Sequence, residues 1–89
     1  MNDRTYYARP GEGVLDLSLR QLADRRAEID SEIEATLHDV PRPARVLARA
    51  EAAVLHREPR TPLERLVLAR GAVETEMLEI ERKLERAGR

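Results

Sequence analysis

The sequence predicts an all-α protein: a three-helix antiparallel bundle, or coiled-coil-like hairpin, with a short middle helix and completed by dimerisation. Three observations predict it. Apolar residues make up 42% of the 89 positions, yet they are mainly Leu, Ala, Val and Ile, with Phe, Trp and Cys absent and Tyr6 and Tyr7 the only aromatics. Helices that pack by aliphatic knobs and strong helix formers use this palette. From Leu15 onward the apolar positions recur at helical spacing. Prolines then cut the pattern into pieces, because each lacks an N–H and pushes its predecessor out of helical geometry.

Residues 1–14 contain Pro10, Gly11 and Gly13 without periodicity, so they read as an irregular arm anchored only by Tyr6 and Tyr7. The first helix spans about 15–39. Its stripe is Leu15, Leu19, Leu22, Ile29, Ile33 and Leu37, widened by Ala23 and Ala27. Asp16 or Ser18 can cap it, and Ser18 with Gln21 has capping-box spacing. Pro41 and Pro43 stop it near His38 or Asp39. The second helix, about 43–57, is rich in Ala and Arg, with a weaker apolar face of Val46, Leu47, Val54 and Leu55. Pro59 ends it. The third, about 62–87, has the best start signal: Thr61 as N-cap, Pro62 at the first helical position and Glu64 completing the box. Leu63, Leu66, Val73, Met77, Ile80, Leu84 and Ala87 form its stripe, interrupted by Arg70, and Gly88 closes it.

Helices one and three also resemble each other at an offset of 44 residues. Leu19, Leu22, Arg26, Ile29, Asp30, Glu32 and Ile33 correspond to Leu63, Leu66, Arg70, Val73, Glu74, Glu76 and Met77. A duplication accounts for this, and so does the common demand of two heptad helices. Arg26 and Arg70 stand where a heptad wants an apolar residue. Either their stems line the seam while the guanidinium groups reach solvent or a Glu, or they pair across an interface and set its register.

Basic and acidic residues nearly cancel, at 16 against 17, but not locally. Residues 16–40 hold seven acids and three bases, and residues 41–70 hold seven bases and three acids. Opposite signs on successive segments favour folding the second back on the first. Two rods of about 25 residues, roughly 38 Å, then flank one of about 15, roughly 22 Å. Run up, down and up again, the third helix should overshoot. That leaves Leu15, Leu19 and Leu22 at one end, and Val73, Met77, Ile80 and Leu84 at the other, short of cover. Side chains of this kind are each worth roughly 1.5–3 kcal/mol when buried, so a partner is expected to enclose them, with Arg70 fixing register.

Few other chemistries fit. The sequence lacks cysteine, which excludes disulfides and thiolate catalysis and suits a cytoplasmic protein; no apolar run reaches the ~18 residues of a membrane span, and the N-terminal residues are polar. Glu34 and His38 lie one turn apart, yet a metal site needs three or four ligands, and no metal or cofactor is expected. His38 and His56 fall near helix C-termini, where the dipole favours an imidazolium. Ser18 and Ser31 lack a glycine-rich elbow, and Gly11-Glu12-Gly13 precedes no strand.

The expected function is therefore a non-enzymatic protein–protein interaction module, an adaptor, regulator or assembly factor acting as a homodimer or on a protein partner. The alternative is a nucleic-acid-binding regulator, because Arg42, Arg45, Arg49, Arg57, Arg60 and Arg65 cluster within 24 residues. Against it, Asn and Gln for reading base edges are confined to Asn2 and Gln21. A minor alternative is a small all-α mutase. Leu19-Arg20 and Ala27-Glu28-Ile29-Asp30 resemble the first helix of the chorismate mutase type over a dozen residues, which implies an Arg/Lys site for a dicarboxylate. The lysine such a site needs has no counterpart in this chain.

Overall fold

The computed structural model describes residues 12–88, and the Tyr6–Tyr7 arm lies outside them. Three helices make up the described chain: α1 (Val14–Leu37), α2 (Pro43–His56) and α3 (Pro62–Ala87). The all-α fold class stands, with the predicted boundaries met to within two residues. At α1 the start signal differs. Gly13 is the N-cap, and its N–H donates to Asp16 Oδ2 at 3.1 Å. Asp16 thus serves from the third helical position, and Ser18 lies inside the helix. At α3 the Thr61 hydroxyl accepts from the Glu64 N–H at 3.1 Å, as the sequence predicts.

The path of the chain departs from the expected up, down and up. Along α3 the partners descend α1. Pro62 and Leu66 share a groove with Ala35 and Thr36, Arg70 reaches Asp30 at 3.5 Å, and Glu74 reaches Arg26 at 3.2 Å. The two long helices are therefore antiparallel. At 24 and 26 residues they match in length, so α3 pairs with α1 and does not overshoot. Their pairing forms a hairpin whose closed end holds the C-terminus of α1 and the start of α3.

The middle helix explains the change of path, since it lies across the pair. Pro43 and Leu47 share a groove with Ile33 and Leu37 of α1, while Val54 and Leu55 share another with Val67 and Leu68 of α3. It shifts the chain sideways, and residues 57–61 bring it back to where α1 ended. Between Pro41 and Pro43 the corner is tight enough to put Arg42 in the left-handed region at φ 54°, at a cost of about 1–2 kcal/mol. The Arg42 carbonyl in return accepts the N–H groups of Arg45 and Val46 at 3.1 and 3.2 Å.

The buried core is Ile29, Ile33, Ala50, Leu63, Val67 and Val73. All six lie between the midpoint of the hairpin and its closed end, or on α2. Where α2 covers the seam, three helices surround it. Beyond α2, two of the described helices do.

Candidate functional site

The surface of interest is the half of the hairpin that α2 leaves uncovered, residues 14–27 of α1 with 74–87 of α3. Two antiparallel helices can close only one line of contact, and each keeps part of its apolar stripe in water. Leu15, Leu19, Leu22, Met77, Ile80 and Leu84 are accordingly only half-buried. Leu22 and Met77 touch the core from its edge. Leu78, one position off the stripe, is 54% exposed.

Two of the residues expected at a contact are engaged inside the chain. Val73 is 5% exposed and belongs to the core, because antiparallel pairing sets it near the middle of the hairpin and not on an overhang. Arg70 ties all three helices together: its guanidinium meets Asp30 of α1 at 3.5 Å and Glu51 of α2 at 3.0 Å, and lies 3.9 Å from Glu74 one turn along α3. All of these pairs lie within one chain.

Arg26 repeats this arrangement from the other helix. It meets Glu74 of α3 at 3.2 Å and lies 3.9 Å from Asp30 one turn along α1. The two arginines and two acids form a reciprocal quartet, each arginine bridging to the other helix and to its own i+4 acid. Adding 44 to the numbers of Arg26 and Asp30 gives Arg70 and Glu74. The internal resemblance in the sequence therefore corresponds in space to a local two-fold relation between α1 and α3. Glu51 of α2 breaks the symmetry, since it bonds Arg70 and not Arg26.

The arginines considered for nucleic acid do not gather into one patch. Arg45 and Arg49 are exposed one turn apart on α2, and Arg42 is exposed just before its first turn. Arg65 lies across the hairpin beside Glu32 and Thr36. Arg57 is locked onto Glu64 by two parallel hydrogen bonds, and Arg60 donates its backbone N–H to the same carboxylate at 2.9 Å. Glu64 is buried at 7% exposure. The bonds from Arg57 and then Arg60 hold its carboxyl below the usual carboxylate range, against burial that pushes it up, and raise the Arg57 guanidinium in turn. The sequence signalled Glu64 only as half of a capping box. In the structure it returns to the N–H of Arg60, one residue before the cap.

His38 caps α1 and lies 3.9 Å from Asp39, and His56 ends α2. No group of three or more potential metal ligands occurs among the described residues. No helix among them is long and apolar enough to cross a membrane. Comparison with protein-family models, curated proteins and solved structures finds no match to this chain.

Proposed function

We propose that this chain is a non-enzymatic helical interaction module that binds another polypeptide along the open half of the α1–α3 hairpin, as a homodimer or with a protein partner. One observation carries the reading: every enclosed apolar residue lies at the end α2 covers, while Leu15, Leu19, Leu22, Met77, Ile80 and Leu84 stay half in water. The reason differs from an overhang. Among the described residues the open half lacks a third helix, and a third helix is what completes such a seam. The cysteine-free composition fits a cytoplasmic setting for this role.

Sedimentation across a concentration series tests the reading with the double variant Met77→Asp, Ile80→Asp. Loss of association with helicity retained supports it. A wild-type chain that stays a lone monomer, or a variant whose mass matches an associated wild type, overturns the homodimer form.

A second reading rests on the exposed face of α2 that carries Arg45 and Arg49, with Arg42 just before it, none of which makes an ion pair among the described residues. It holds that this face contacts phosphates. Gel retardation at low salt, lost on Arg45→Glu with Arg49→Glu, is the result it requires.

A further inference from the structure

The local two-fold of the hairpin relates the place where α2 sits to a second place that no helix of the described residues covers. Val54 and Leu55 of α2 share a groove with Val67 of α3, Pro43 and Leu47 share one with Ile33 and Leu37 of α1, Leu63 belongs to the same core as Ala50, and Arg70 is bonded to Glu51. Subtracting 44 from the α3 positions gives Leu19, Ala23 and Arg26 on α1. Adding 44 to the α1 positions gives Met77 and Glu81 on α3.

The two places share their pattern of residue types and differ in burial. Leu63 and Val67 are 8% and 6% exposed beneath α2, whereas Leu19 is half-buried and Ala23 is open. Ile33 is 3% exposed, and its counterpart Met77 is half-buried. The small residues Gly71 and Ala27 also correspond, both exposed. Two positions depart from the pattern. Leu78 replaces Glu34, which adds apolar surface and accounts for a leucine left 54% exposed. Glu81 replaces Leu37, which puts a carboxylate at the rim.

We propose that this second place is a docking seat for an amphipathic helix of another protein, built to the pattern of α2. The inference rests on the reading of the open half as a contact surface and names the partner's chemistry. The occupant is a helix of about four turns, as α2 is. It carries small and branched aliphatics on one face, as Val46, Leu47, Ala50 and Val54 do on α2. A carboxylate on its flank meets Arg26 as Glu51 meets Arg70. A basic residue near its start meets Glu81, where α2 instead sets Pro43 and Leu47 against Leu37.

The chain supplies its own probe. A peptide of residues 43–56, added to the full-length protein, is expected to shift the amide NMR signals of Ala23, Ala27, Met77 and Leu78 in a saturable way. Replacing Glu51 by Gln in the peptide weakens binding a few-fold, the scale of one exposed ion pair. The protein variant Ala23→Glu with Leu78→Glu changes only exposed positions, so it keeps its helicity, and it weakens binding roughly tenfold or more. No shifts at millimolar peptide overturn the proposal. So do shifts confined to residues 62–71, equal binding by a scrambled peptide, or a wild-type dimer that excludes the peptide and is dissolved by the same double variant. Should Met77→Asp with Ile80→Asp abolish association while the peptide fails to bind, the seat is refuted and the open half remains a contact surface.

Discussion

Arg57 and Glu64 face each other through two hydrogen bonds of 2.7 and 2.9 Å, joining the segment after α2 to the first turn of α3. With the Arg60 N–H on the same carboxylate, this pair fixes how the chain turns back onto α1. Glu64 titrates below its ordinary value when folded, so the unfolded chain binds the extra proton as pH falls. Its contribution is present in full above the ordinary carboxylate range and is lost as pH falls through the depressed folded value. Thermal unfolding followed over pH 2–7 should show a steeper acid loss of Tm in the wild type than in Glu64→Gln. Parallel curves refute the assignment.

Thr61→Ala removes the acceptor of the Glu64 N–H. The expected cost is about 1 kcal/mol of stability, within the range measured for lost N-caps, read by urea unfolding with an unchanged m-value.

Gly71 lies mid-helix with no atom within 4 Å of where a Cβ would stand. Gly71→Ala should therefore stabilise the fold by up to ~1 kcal/mol, and a lower Tm would show that the surface there is occupied.

Core truncations should separate the two ends of the hairpin. Ile33→Ala, at 3% exposure beneath α2, is expected to cost about 2–5 kcal/mol. Leu19→Ala, half in water, should cost less than half as much in the monomer and most of its effect should appear on association. Equal costs at high dilution would contradict a seam covered at one end only.

Removing Arg70 breaks the ion pair to Glu51 and leaves Asp30 and Glu74 to Arg26 alone, whereas removing Arg26 leaves both acids on Arg70 with the Glu51 pair intact. Arg70→Met should destabilise more than Arg26→Met, each by a few tenths to about 1 kcal/mol per pair lost. The difference is read from Tm, and added salt should narrow it.

Local signals were legible and the direction of the chain was not. Thr61, Pro62 and Glu64 marked the start of α3 because a cap is chemistry within four residues. Pro41, Pro43 and Pro59 marked the limits of α2 for the same reason. The start of α1 is less legible, since a glycine N-cap leaves no side-chain signal and Asp16 works from three positions further on. Whether α3 runs along or against α1 depends on how α2 lies across them, held by Arg70–Glu51 and Arg57–Glu64. Neither pair can be read from spacing. Val73 therefore lies in the core and not on an overhang, and Arg57, one of six arginines close in sequence, is paired with Glu64. The 44-residue likeness was visible, but an offset carries no orientation. Only the quartet of Arg26, Asp30, Arg70 and Glu74 turns it into a symmetry.

The covalent attachment of α2 at both ends has a thermodynamic consequence. A tethered helix competes at an effective concentration on the order of millimolar, whereas a free rival starts from its bulk value. If the proposed second seat exists, the two berths are thus unequal from the outset: the resident holds the first against any dilute challenger, and a newcomer is directed to the second. Cutting one linker, at Pro59 for instance, would remove that advantage and let a visitor contest both.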